Sequence, residues 1–140
     1  MSESDLRFHE ITRKIIGAAM EVHSYMGNGF QEVIYQRCLK QEFLERGIKF
    51  RREQEVPLFY KDHEVGARRA DFIVDKIILV ELKAVTALED VHRAQVLNYL
   101  SAYHLEIGLL INFGAKRLQF ERFVKSKNMY KGGQIRGKAK

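Results

Sequence analysis

The stretch from Asp71 to Lys83 constrains this chain most. It reads Asp71-Phe72-Ile73-Val74-Asp75-Lys76-Ile77-Ile78-Leu79-Val80-Glu81-Leu82-Lys83: an acid, a turn, an apolar run, then an acid and a lysine two residues apart. The run before Glu81 is apolar enough for a strand buried on both faces. Side chains alternate along a strand, so Glu81 and Lys83 share one face while Leu82 enters the core from the other. Charged groups at the end of such a strand are costly to desolvate unless they are paired, metal-bound or open onto a cleft.

Parity decides whether Asp71 and Glu81 can act together. A two-residue turn at Asp75-Lys76 would pair Val74 with Ile77 and send the two acids to opposite faces. A three-residue turn over Asp75-Lys76-Ile77 pairs Val74 with Ile78 and sets Asp71 across from Glu81. A one-residue slip flips every side chain, so a shared site requires the second register or an equivalent bulge. In that register two neighbouring carboxylates offer hard oxygens suited to Mg²⁺ or Mn²⁺. Lys83 could then orient a water or offset negative charge developing on a phosphoryl group. The bland alternative is an ion pair between Glu81 and Lys83 at a solvent-facing strand end.

A chain of 140 residues fits one domain. No apolar run approaches the ~20 residues needed to span a bilayer, and Met1-Ser2-Glu3-Ser4-Asp5 lacks the basic start and apolar stretch of a signal peptide. A single cysteine, Cys38, excludes an internal disulfide, suits a reducing cytoplasm, and reads as a small core residue. Charge is unevenly placed: residues 1–124 balance 18 Lys+Arg against 18 Asp+Glu, so the whole net charge of +6 lies in residues 125–140. That glycine-rich segment is expected to be a disordered basic tail, either binding nucleic-acid phosphates through Lys125, Lys127 and Lys131 or only aiding solubility.

Apolar spacings of three and four predict a helix over residues 5–25 and a second from Phe30 to Arg46, stopped by Gly47. Residues 48–60 alternate as a strand whose Pro57 suits an edge or a bulge. Residues 64–74 and 77–83 form the hairpin, a third helix covers Leu88 to Tyr103, and strands follow at 107–113 and 117–124. The order ααβββαββ argues for an α/β sandwich around a mixed central sheet flanked by helices. An exposed edge strand could support a homodimer.

The second helix places Glu32 and Tyr35 on one face, although an acid in a first turn is also favoured by the helix dipole alone. The third helix carries a polar stripe of His92, Gln95 and Tyr99. Such stripes usually face water. Turned toward the sheet, Gln95 could orient a water or a metal ligand and Tyr99 could hydrogen-bond a phosphate, while His92 reads as structural or exposed.

Gly29-x-x-Glu32-x-x-Tyr35, Arg69-Ala70-Asp71, Glu81-Leu82-Lys83-Ala84-Val85, Gln95-Val96-Leu97-Asn98-Tyr99-Leu100 and Ile111-Asn112-Phe113-Gly114 occur in that order. Together they resemble the bacterial GxxExxY proteins, grouped with the PD-(D/E)XK nuclease superfamily, over about residues 6–124. The resemblance implies a restriction-endonuclease-like fold with an αβββαβ core and one extra N-terminal helix. It implies that Glu32 is a helix carboxylate near the metal, that Asp71 and Glu81 are metal ligands, and that Lys83 is the core-motif lysine. Gln95-x-x-x-Tyr99 is similar to the helix motif of the lambda-exonuclease and RecB-type branch, which acts on DNA. Arg69 and Tyr35 are further expected nucleic-acid contacts. Ala70 replaces the proline before the aspartate, as in many members.

The expected activity is a Mg²⁺- or Mn²⁺-dependent nuclease acting on DNA, with RNA left open. A non-catalytic nucleic-acid-binding or scaffold protein on the same fold is the alternative, favoured slightly by the neutral charge of residues 1–124. A two-carboxylate sugar hydrolase would need one protonated acid in an apolar pocket, which a lysine beside Glu81 opposes.

Overall fold

A computed structural model describes residues 2–125. Helix α1 spans Glu3–Met26 and starts in a capping box, in which Ser2 Oγ accepts from Asp5 N at 3.1 Å. Its buried residues Ile15, Ala18, Ala19 and Val22 repeat at helical spacing. Helix α2, Glu32–Arg46, buries Tyr35, Leu39 and Phe43 at every fourth residue and ends on left-handed Gly47. Both helices pack on one face of the sheet, against Phe72, Val74, Ile78, Val80 and Leu82. Cys38 packs half-buried at the edge of this core.

The strand expected over 48–60 is instead two: β1, Phe50–Arg52, and β2, Glu55–Tyr60. They are separated at Glu53, which takes a positive φ of 54°. The partner run divides likewise into β3, His63–Arg69, and β4, Phe72–Val74. β2 and β3 leave the main sheet as a separate antiparallel ribbon with a bulge between Leu58 and Phe59. Pro57 lies on this ribbon, where no third strand needs its missing N–H.

The main sheet has the order β1-β4-β5-β6-β7, with β5 Ile78–Lys83, β6 Ile107–Asn112 and β7 Gln119–Val124. Only β5 and β6 run parallel, joined by helix α3, Asp90–Tyr103. α3 covers the second face through Val96 and Leu100 on Ile73, Leu79 and Leu110. The result is an α/β fold with a mixed central sheet flanked by helices. Among the described residues, no helix is long and apolar enough to cross a membrane.

Candidate active site

The hairpin has the register that a shared site demands. Val74 pairs with Ile78, Ile73 with Leu79 and Phe72 with Val80. Asp75 and Lys76 in the turn take positive φ of 52° and 67°. One step further, Asp71 stands opposite Glu81. Asp71 precedes the first residue of β4, and side chains replace the ladder: Leu82 N donates to Asp71 Oδ2 at 2.8 Å, and Asp71 N donates to Glu81 Oε1 at 2.8 Å. Both acids are buried.

Asp71 Oδ1 accepts from Gln36 Nε2 at 2.6 Å. Gln36 is itself buried and lies one turn beyond Glu32 on α2. Glu32 is exposed, yet feels the charges of Asp71 and Lys83. α2, β5 and the segment leading into β4 therefore bring Glu32, Asp71, Glu81 and Lys83 into one electrostatic group.

Burial, reinforced by the neighbouring Asp71, pushes the Glu81 carboxyl up to about 9, against the opposing pull of the Asp71 N–H and Lys83. Asp71 is also raised, chiefly by burial, while its bonds from Leu82 N and Gln36 and the charge of Lys83 oppose the shift and Glu53 adds to it. Glu32, though exposed as a residue, has a carboxyl partly shielded from water by its neighbours; that desolvation raises it first and Asp71 second, with Lys83 opposing. Three carboxyls crowded in this way resist ionising together.

The polar stripe of α3 turns toward the sheet. The Tyr99 hydroxyl is held above its ordinary range by burial and then by Glu81, with Arg68 opposing. Gln95 Oε1 is buried and accepts no hydrogen bond among the described residues. His92 caps the helix instead, its Nδ1 accepting from Glu89 N at 2.9 Å.

Several expected contacts fall elsewhere. Tyr35 is fully buried, stacked on Phe113 at 4.7 Å; its hydroxyl donates to Gly27 O at 2.5 Å and accepts from Phe30 N at 3.2 Å. It braces the turn before α2 and has no surface to offer a nucleic acid, which corrects the expectation. Arg69 is exposed at the end of β3, but the cation acting on Tyr99 is Arg68. Lys125, expected to begin the tail, is held: its N donates to Glu106 O at 2.7 Å and its Nζ bonds Ser101 Oγ. Lys127, Lys131 and the rest of the expected tail lie outside the described residues.

Gln36, Glu53 and Tyr103 matter here and were not singled out from the sequence, and Asn112 was quoted there only within a motif, with no role. Gln36 could have been found as a polar residue beside the buried stripe of α2. Glu53 joins the group only through the break between β1 and β2, which composition does not signal. Tyr103, one turn beyond Tyr99, accepts from Ala70 N at 3.0 Å and donates to Gln54 O, bracing the residue before Asp71. Asn112, fully buried, accepts from Val85 N at 2.9 Å and Gly114 N at 3.0 Å, and donates to Val85 O at 2.9 Å and Gln119 Oε1 at 2.8 Å. With Phe113 N donating to Lys83 O at 2.8 Å, it pins the segment following Lys83. Gly114 is required there, since an added Cβ would lie 2.4 Å from Val85 N.

The donor chemistry fits a hard divalent cation: carboxylate oxygens whose mutual repulsion a positive ion would relieve. Asp71 and Glu81 would hold it, with Glu32 as the third acid. Among the described residues, however, no group of three or more His, Cys, Asp or Glu stands already arranged to hold a metal. Gln36 Nε2, Leu82 N and Asp71 N each donate one hydrogen bond to Asp71 Oδ1, Asp71 Oδ2 and Glu81 Oε1 respectively.

No curated protein gives a significant match to the chain. Among solved structures, the crystal structure of SSO0001 superposes with a TM-score of 0.56 at 21% sequence identity, covering 66% of this chain and 48% of that one. The chain thus spans about half the length of SSO0001, and the likeness is one of fold. Residues 9–123 match the PD-(D/E)XK nuclease superfamily, and with a buried Asp71 facing Glu81 and Lys83 on the next strand the chain belongs to that superfamily.

Proposed function

We propose that this protein is a divalent-metal-dependent phosphodiester hydrolase acting on DNA, of the GxxExxY kind, working in the cytoplasm. The observation that carries the reading is the pairing of Asp71 with Glu81, coupled to Glu32 and Lys83. Asp71 and Glu81, with Glu32, would hold Mg²⁺ or Mn²⁺, which when bound would supply Lewis acidity toward a phosphoryl oxygen and a more acidic water. Lys83, half-buried beside the acids, offsets negative charge as it develops. Gln95 Oε1, a buried acceptor, orients a water, and Tyr99 donates to a phosphate oxygen. Arg68 adds positive charge on the substrate side. The test is cleavage of a panel of linear, nicked, branched and single-stranded DNA with and without Mg²⁺ or Mn²⁺. Folded protein that cuts none of them sinks the enzyme reading.

A second reading, a nucleic-acid-binding scaffold without turnover, draws on the protein donors that each Asp71 oxygen already accepts from, one apiece. A scaffold would bind DNA equally in EDTA, with a salt dependence set largely by the lysines of residues 125–140.

A further inference from the structure

A cavity of about 490 Å³ opens between β1, the β4–β5 turn and the C-terminal end of α3. We propose that it holds one unpaired nucleotide of the same single strand whose neighbouring phosphodiester lies at Asp71 and Glu81; this rests on the phosphodiesterase reading. Its volume falls within the ordinary range of small-molecule sites. Ile73, Leu105 and Tyr103 supply apolar and aromatic lining, and Gln54 adds an amide. Lys49, Arg51 and Lys76 supply charge from the exposed surface.

Charge favours an anion. The acid of the lining, Asp75, is already bound by Arg7, with Nη2 2.9 Å from Oδ2. Among the described residues, none of Lys49, Arg51 or Lys76 has an ion-pair partner. Three cations around an apolar lining match a nucleotide, whose base sheds water while its phosphate keeps its charge. A duplex keeps its bases paired inside the helix, so a pocket of this kind selects an unpaired one.

Position favours the link to the acids. Arg51 pairs with Ile73, so both face the α3 side that also carries Glu81. Ile73 is two residues along from Asp71, about 7 Å at a strand's rise. Tyr103 stands between the two places, its hydroxyl on Ala70 N and its side chain in the cavity lining. A strand crossing from pocket to acids would pass Tyr103 and then Tyr99.

The test uses the full chain in EDTA, so that no turnover is needed. A single-stranded oligonucleotide carrying 5-iododeoxyuridine is followed by fluorescence anisotropy, then crosslinked and mapped by mass spectrometry. Crosslinks are expected in the segment containing Tyr103 and Leu105. Arg51→Glu/Lys76→Glu is expected to weaken binding by roughly tenfold or more and to remove those crosslinks. The charge-matched control Arg13→Glu/Lys14→Glu, on exposed residues of α1, should weaken it much less. Equal losses in both variants, unchanged binding by the first, or crosslinks only elsewhere would overturn the proposal. Crosslinks at Tyr103 from a protein that never cleaves would remove the nuclease reading and leave the pocket standing.

Discussion

Gln36 and Asp71, separated by 35 positions in sequence, meet in the interior with Gln36 Nε2 donating to Asp71 Oδ1 at 2.6 Å. This bond favours the ionised aspartate against a burial that opposes it. Gln36 therefore acts as a positioning residue: it fixes the orientation of Asp71 and tunes its charge.

Removing it has a defined direction. Gln36→Ala takes a stabilising donor from Asp71, so the aspartate carboxyl should rise further. The acidic limb of the pH–rate profile is expected to shift to higher pH, and stability to fall by about 1–3 kcal/mol. Urea unfolding and a pH profile of cleavage check both. An unchanged profile would deny Gln36 the tuning role.

Glu81 makes the metal-free protein sensitive to alkali. Its carboxyl is raised by burial from an ordinary value near 4.5 to about 9 in the folded state. The native state thus holds more protons than the unfolded state between those values, and stability must decline as pH rises through that window. The limiting slope is about 1.4 kcal/mol per pH unit. Glu81→Gln should melt higher than the parent at pH 8 in EDTA and show a flatter dependence. Thermal melts from pH 5 to 9, with and without Mn²⁺, read this directly. Stabilisation of the parent by Mn²⁺ should grow with pH and vanish in the variant.

Asp71→Ala, Glu81→Ala and Lys83→Ala should each lower cleavage by at least roughly 100-fold while the fold persists. Lys83→Ala carries most information, because Lys83 is half-buried and outside the hydrogen-bond network of the two acids. Near-normal kcat in that variant, with circular dichroism unchanged, would exclude lysine from the chemistry.

Asn112 and Gly114 hold the chain beyond Lys83. Asn112→Ala strands the main-chain N–H and C=O of Val85 and should cost about 2–4 kcal/mol. Gly114→Ala forces a Cβ against the backbone of Ala84 and Val85, which flexible side chains cannot relieve. Both variants are expected to unfold at lower urea than Lys83→Ala. Equal stability of Asn112→Ala and the parent would show that the loop after β5 holds itself.

Much of this architecture was legible in the chain. The apolar run 77–80 announced β5, and strict alternation placed Glu81 and Leu82 on opposite faces before any fold was known. Helical periodicity marked α1, α2 and α3, and the left-handed stop at Gly47 followed from glycine's freedom. Composition could not reveal that residues 48–60 and 64–74 each serve two sheets. That division depends on Glu53 accepting a left-handed backbone, which only surrounding contacts can stabilise.

Local pattern determined which residues could form strands and helices and which acids could share a face, because periodicity is a property of neighbours along the chain. Tertiary structure alone decided that Tyr35 is a brace, that Gln36 grips Asp71, and that the Tyr99 hydroxyl feels the charge of Glu81. These outcomes depend on where α2 and α3 settle against the sheet. The burial that results raises the Glu81 carboxyl, and residue order by itself does not specify that distance from water.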